Sequence, residues 1–506
     1  MKSPVKPIFP LRQQYLDSLA ARVRVPDYAR GARSNWIVHI GVGGFFRSHL
    51  AAYLDDLLSA QGGADWMLVG VTLLPHDVAI GADLRAQDCL YTLVERSAEG
   101  AQARVIGSLA AVLHGPDDPE AVLAKLTDPA CKIVSLTITE GGYYLDQGSG
   151  QFDADHPDIV AALAQPQHPR CSFAYLATAL ERRRLAGLAP FTIMSCDNLQ
   201  GNGDLTRRML LAYIGLYNAE LAAWLAREGA FPNSMVDRIT PATTDVHRAW
   251  VRERYGIDDA RPVMTEPFRQ WVLEDKFPLG RPAWEQAGAS LSTEVHRHET
   301  LKLRVLNASH QVLCYLGMLL GYTYAHEAIQ DPQVRLLVTT TMEREVLPLL
   351  PAIDGVDPRA YLASVLVRLA NPSIRDQLER IGTDGSARMP KFVLPSVQAQ
   401  LANGGSIELL SFAVACWFRF LAGHDEQGGT LPLTDPLAAT LREHALRGGP
   451  EAGALLSLER LFGPLSHTPA FADAVGRALR RLYGQGVAAA LHATLAAPAG
   501  TAVTGL

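Results

Sequence analysis

Asn35-Trp36-Ile37-Val38-His39-Ile40-Gly41-Val42-Gly43-Gly44-Phe45-Phe46-Arg47 reads as a strand, a tight glycine turn and the start of a helix. Trp36–Ile40 is a short apolar run of the kind that a parallel sheet buries on both faces. Gly41 and Gly43 permit a sharp turn and let a pyrophosphate approach backbone N–H groups at a helix start. Arg47 offers a positive charge against such a phosphate. Phe46 stands where G-x-G-x-x-G has its third glycine. A glycine pair alone is a weak signal, because plain turns use the same residues.

The surrounding sequence strengthens it. A helical pattern follows over His49–Ala60, then a second apolar strand, Trp66–Val71. Asp77 lies just beyond, where a carboxylate can bind adenosine ribose hydroxyls and disfavour a 2′-phosphate; the alternative is a helix N-cap or turn residue. Further strand candidates are Arg104–Ile106, Lys132–Thr139 and Phe191–Ser195, with helical segments Pro119–Leu126 and Phe173–Gly187 between them. This alternation predicts a doubly wound α/β domain of Rossmann type over residues 1–292. Two of the strand ends carry polar groups, Ile138-Thr139-Glu140-Gly141-Gly142-Tyr143 and Ser195-Cys196-Asp197-Asn198. Ligands of such sheets sit beyond the carboxyl ends of the strands, which makes Asn198 a site candidate; its alternative is a turn-forming Asx residue. Gly41, Gly43, Gly44, Phe45, Arg47, Asp77 and Glu140 are the cofactor-binding candidates.

From about Ser292 onward helical patterns dominate: Glu299–Tyr324, Asp331–Leu347, Pro358–Leu369 and Ile407–Leu421, with breaks at Gly423–Thr434 and Gly448–Gly453. A mainly α-helical second domain is predicted over residues 293–506. Its first helix holds the stretch Lys302-Leu303-Arg304-Val305-Leu306-Asn307-Ala308-Ser309-His310. At about 100° per residue, with Lys302 at zero, Asn307 falls at about 140°, His310 at about 80° and Glu299 at about 60°. These four polar groups share one arc of a segment that becomes almost wholly apolar from Val312 to Tyr324. Each unpaired polar group in such a setting costs about 1–3 kcal/mol. The cluster is therefore a site, or else a helix end whose polar face meets water.

At 506 residues, with 48% apolar and 19% charged residues, the chain is a globular protein of two or three domains. A net charge of −6 without a long basic run argues against a nucleic-acid partner. The amino terminus, MKSPVKPIFPLRQQ, has no apolar core of a signal peptide. Val312–Tyr324 is too short and too glycine-interrupted to span a bilayer. Six scattered cysteines without a CxxC pair suit reduced thiols in a cytoplasm. A zinc site lacks ligands beyond His296-x-His298, an iron site lacks a histidine cluster, and no tyrosine has the lysine four residues on that short-chain dehydrogenases use.

Seven segments, HIGVGGFFRSH, SLTITEGGYY, SCDNLQGNGD, FPNSMVDRITP, EPFRQWVLED, LKLRVLNASH and IGTDGSARMPKF, run in order from about residue 39 to 392. Through them the chain resembles the polyol-specific long-chain dehydrogenases. That resemblance implies Lys302 as catalytic acid or base, Asn198 and Asn307 holding the substrate oxygen, and His310 beside them. It also implies Asp237, Arg380 and Arg388 as contacts to the polyol chain. The chain departs from the family in Phe46, where members often carry histidine, and in Arg388, where lysine is common. The reaction implied is NAD-dependent, metal-independent interconversion of D-mannitol and D-fructose, with sorbitol and arabinitol as secondary substrates, by a monomer. Oxidising a secondary alcohol requires a base for its proton, and lysine serves only if desolvation or a positive neighbour such as Arg304, Arg380 or Arg388 lowers its pKa. The two amides would stabilise the charge developing on oxygen. Glu299 would relay the proton to solvent, or simply pair with Lys302 at i, i+3. Arabinitol dehydrogenases and fructuronate or tagaturonate reductases of the same family, and a non-catalytic NAD(H)-binding redox sensor, are the alternatives.

Overall fold

The computed structural model describes residues 7–31, 33–61, 65–146, 150–166 and 168–497; Met1–Lys6 of the amino-terminal stretch lie outside them. Two compact units divide the chain, Met1–His296 and Arg297–Leu506. The division falls inside the helix Val295–Leu301, a few residues past the expected boundary after residue 292.

The first unit is built on five parallel strands, β1 (Asn35–Ile40), β2 (Trp66–Thr72), β3 (Leu109–His114), β4 (Cys131–Leu136) and β5 (Thr192–Ser195). Their spatial order is β3-β2-β1-β4-β5, the doubly wound arrangement of nucleotide-binding sheets. Alternation along β1 sends its side chains to two separate cores. Ile37 joins Leu50, Leu54 and Leu57 of α1 (Leu50–Gln61) on one face. Val38 and Ile40 join α2 (Pro119–Thr127) and α3 (Ser172–Leu185) on the other. All three β1 residues are essentially inaccessible, each contributing about 1.5–3 kcal/mol by burial.

Two sequence expectations change here. Arg104–Ile106 belongs not to this sheet but to a strand, Gly100–Ile106, that pairs antiparallel with Tyr91–Ser97. The strand that completes the parallel sheet is β3, an edge strand separated from Ile106 by only Gly107 and Ser108. The strand read over Lys132–Thr139 ends at Leu136, and Thr137-Ile138-Thr139 turn out of the sheet.

His39 is the polar member of β1. Its ring stacks on Phe46 at 3.7 Å between centroids. Its Nε2–H donates to the Gly41 carbonyl (2.9 Å), and Nδ1 takes the Ser135 hydroxyl (2.8 Å). Phe46 thus serves the core behind the glycine turn.

The second unit is helical, with no strand among its described residues. α4 (Ala308–Leu319) and α5 (Glu408–Leu421) lie in one apolar cluster, both almost wholly buried. Pro358–Leu369 forms as read. The expected helix Glu299–Tyr324 does not run as one α-helix: a π-helical turn, Lys302–Asn307, separates Val295–Leu301 from α4. A second π turn, Met342–Val346, follows the helix Pro332–Thr341. It carries Glu345, whose buried carboxylate accepts the N–H groups of Leu409 (3.1 Å) and Leu410 (2.8 Å) at the start of α5. Burial pushes the Glu345 pKa up. No helix of the described residues is long and apolar enough to cross a membrane.

Burial holds the pKa of both His39 and His49 down to about 3. The folded chain keeps these rings neutral, while the unfolded chain binds protons at about 6.5. Their contribution is complete above pH 6.5 or so and is lost as pH falls, by up to about 1.4 kcal/mol per pH unit for each ring. Urea denaturation between pH 7 and 4.5 is expected to show stability falling with pH, and a shallower slope in His39→Gln. An unchanged slope in that variant would mean that His39 titrates freely in the folded chain.

Candidate functional site

Where the strand order reverses, between β1 and β4, a cleft of about 470 Å³ opens at the carboxyl ends of the strands. Gly41, Gly43, Asp77, Thr137, Thr139 and Tyr144 are among its walls. Gly41 has φ +105°, and a Cβ there would lie 2.1 Å from the Thr137 carbonyl oxygen, so no other residue fits. A Cβ on Gly43 would meet nothing within 4 Å; the backbone there faces open space. Asp77 ends the short turn Pro75–Asp77 and precedes the helix Val78–Ala86, yet its side chain makes no capping hydrogen bond to that helix. Its carboxylate instead flanks the cleft, 3.8 Å from His76 Nε2.

Gly44, Phe45, Arg47 and Glu140 stand outside this wall. Phe45 stacks on His49 with centroids 4.9 Å apart. Arg47 requires a correction: it is buried, its Nη1 donates to the Arg261 carbonyl (2.5 Å), and its guanidinium lies 5.4 Å from the Tyr91 ring centroid. Burial lowers its pKa. The helical turn Gly44–Ser48 points this side chain into the core, not toward a phosphate. Glu140 is exposed on the turn after β4.

That turn is held by a residue that the sequence reading missed. Asp197, next to the candidate Asn198, is buried. Its carboxylate accepts from Ile138 N (3.0 Å), Thr139 N (2.9 Å) and the Tyr143 hydroxyl (2.6 Å). The Tyr143 oxygen also lies 2.6 Å from Ser195 Oγ, so the ends of β4 and β5 are tied together. Desolvation pushes the Asp197 pKa up. Thr139 sits at φ +60°, ψ 173°, a region populated essentially by glycine and costing other residues about 1–3 kcal/mol. The available signal was an acidic residue at a strand end, Asp197 directly after Ser195-Cys196.

Asn198 is exposed on the bend after β5. Asp237 ends the strand Ser234–Asp237, opposite Gln270, and is buried. Its charge acts on His49, favouring the protonated ring against the larger desolvation effect.

In the second unit, Glu299, Lys302, Asn307 and His310 lie on successive turns of one helical element. Lys302 and Glu299 are buried, 7% and 5% exposed; Asn307 and His310 are half-buried. The π geometry revises their relative placement. Its hydrogen bonds run i→i+5, as Ala308 N to Leu303 O does. Residues five apart therefore stand one above the other, and Lys302 and Asn307 are such a pair, closer in direction than the 100° rule gives. Such turns in helices frequently mark functional sites. Arg304 Nη1 donates to the Ser396 hydroxyl (2.8 Å), and burial lowers its pKa. Arg380 forms two bonds to Asp376 (2.8 and 2.6 Å) and is 64% exposed. Arg388 donates to the Ile381 carbonyl (2.7 Å) at the end of the helix Leu378–Ile381. Among the described residues, no group of three or more His, Cys, Asp or Glu side chains could hold a metal ion.

Comparison with known proteins bears on both units. Residues 35–286 match the mannitol dehydrogenase Rossmann domain, and residues 294–483 match the mannitol dehydrogenase C-terminal domain. A mannitol 2-dehydrogenase of Phaeosphaeria nodorum is 48% identical over 87% of this chain and 78% of its own. A mannitol dehydrogenase of Saccharomyces cerevisiae is 43% identical over 96% and 97%. The structure of Pseudomonas fluorescens mannitol 2-dehydrogenase in ternary complex with NAD and D-mannitol is 41% identical, with a TM-score of 0.86, over 97% of this chain and 100% of that one. A substrate-free D-sorbitol dehydrogenase is 37% identical, with a TM-score of 0.89, over 96% and 100%. The glycine-turn sheet and the helical unit after it each match their counterpart, and near-complete relatives span the two: the chain belongs to the mannitol dehydrogenase family.

Proposed function

We propose that the chain is an NAD-dependent, metal-independent polyol dehydrogenase that interconverts D-mannitol and D-fructose. The observation that carries this reading is the buried lysine of the π turn, with Asn307 one turn away. Family membership supplies the polyol class, and the relatives known as mannitol dehydrogenases support mannitol over other polyols.

The first unit's cleft suits a dinucleotide. At Gly43 a side chain would project into open space beside Gly41, so bare backbone is available to a pyrophosphate. Asp77, uncommitted to helix capping, would take the ribose hydroxyls and repel a 2′-phosphate. Bound there, nicotinamide supplies the acceptor for the hydride that leaves the alcohol carbon.

Lys302 Nζ takes the hydroxyl proton as the carbonyl forms. An amine acts as a base in its neutral form, which burial favours. The side-chain amides of Asn198 and Asn307 donate to the oxygen while it carries charge, as in an oxyanion hole. His310 orients the hydroxyl. Glu299, one turn before Lys302, passes the proton toward solvent. Arg380 already has a carboxylate partner in Asp376, which favours a neutral polyol over a sugar acid at that position.

The test is oxidation of NADH, followed at about 340 nm, with D-fructose, D-xylulose and D-fructuronate, before and after EDTA. Fructose is expected to be turned over fastest, with no loss on chelation. Preference for fructuronate would overturn the substrate, and loss with EDTA would overturn metal independence. Lys302→Ala is expected to lower kcat by about 10²–10⁴-fold while NADH still binds; near-normal turnover would remove lysine as the base. Asp77→Ala is expected to shrink the ratio of kcat/KM for NADH over NADPH by about tenfold or more. A ratio that stays fixed would place cofactor selection elsewhere.

A further inference from the structure

Three observations converge on the turn after β4. Ile138 and Thr139 help to line the cleft. Thr139 is held at φ +60°, ψ 173°, although it is β-branched. Both of their N–H groups end on one buried carboxylate, Asp197, which Tyr143 also engages. The turn is closed further by Gly142, where a Cβ would lie 2.9 Å from Ile138 Cβ.

A threonine released from this conformation would move to negative φ, swinging the Ile138–Thr139 peptide and carrying both residues out of their places in the wall. Within the turn one backbone bond, Gly142 N to the Thr139 carbonyl (3.1 Å), supports this form, and the buried carboxylate adds two more by collecting the N–H groups of Ile138 and Thr139. We infer that Asp197 is a positioning residue for cofactor binding: it holds the strained turn in the one form that leaves the cleft open for the dinucleotide. The inference rests on the dinucleotide reading of the cleft given above.

Asparagine in place of Asp197 presents one oxygen and one NH2 to three donors, so it cannot satisfy them all. The open form then becomes a minority state, and apparent affinity falls by the fraction lost. Glycine at position 139 adopts φ +60° without strain, so it removes the need for the clamp. The experiment is titration of the full-length chain with NADH, followed by quenching of tryptophan fluorescence, for wild type, Asp197→Asn and the double variant Asp197→Asn with Thr139→Gly. Asp197→Asn is expected to weaken NADH binding roughly 5- to 100-fold, and the double variant is expected to recover most of that loss. A clamp that merely stabilised the fold would give no such recovery. Wild-type affinity in Asp197→Asn, or a double variant that binds no better than the single one, overturns the inference and leaves the dehydrogenase reading standing. Failure of the wild type itself to bind NADH removes both. If Asp197→Asn does not fold, the double variant decides alone: it must fold and bind NADH within about tenfold of wild type, and any other result overturns the inference.

Discussion

The backbone of Gly41 and the carbonyl of Thr137 touch with no room for a single methyl group between them, and the geometry of the first unit's cleft follows from that contact. β1 and β4 are neighbours in the sheet, and their chains must part just beyond its edge for a ligand to enter. They part from a fixed point. The Thr137 hydroxyl donates to the Gly41 carbonyl at 2.8 Å, and His39 reaches the same oxygen from beneath. With this node in place, Gly43 faces open space, and the segment from Ile138 to Tyr143 must fold back toward the end of β5 to find its hydrogen bonds.

Much of this was legible in the sequence, for definite reasons. β1 and β2 announce themselves because strands buried on both faces are continuously apolar, and the turn after β1 because only glycine fits a carbonyl at such range. β3 was missed since Leu109-Ala-Ala-Val-Leu-His mixes small residues with a polar end, as an edge strand can. Asp77 stands out by its distance past β2, and only the fold shows that it lines the cleft and does not cap the helix. Arg47 was misread because a charge beside a phosphate turn and a guanidinium buried under it have the same sequence signature. Asn198, not Asp197, draws the eye in the sequence, since nothing in one strand end reveals that amides of the turn after another strand point at it.

The second unit illustrates a different limit. The polar set Glu299, Lys302, Asn307 and His310 is visible as a set in the sequence, but its expected geometry assumes 3.6 residues per turn. The wide turn Lys302–Asn307 breaks that assumption where it matters most. A backbone that leaves the α-helix pays in hydrogen-bond quality, and the packing around it must make the alternative worse. Here Leu303, Val305 and Leu306 of the turn are all buried, so tightening the turn to α geometry would rotate them away from the core that now receives them.

A π turn is, in effect, an α-helix that has accepted an extra residue, and this gives the helix through Lys302 two independent phases. Upstream, the phase is set by Glu299 and Lys302; downstream, by the apolar seam of α4. At about 100° per residue, one residue more or fewer turns one half against the other by more than a quarter of a revolution. The reactive face and the packing face of this single rod are thus uncoupled. Side chains of the seam can be exchanged for others of like volume without re-aiming the lysine, whereas a one-residue deletion in the turn would re-aim it at once while Lys302 itself remained in place.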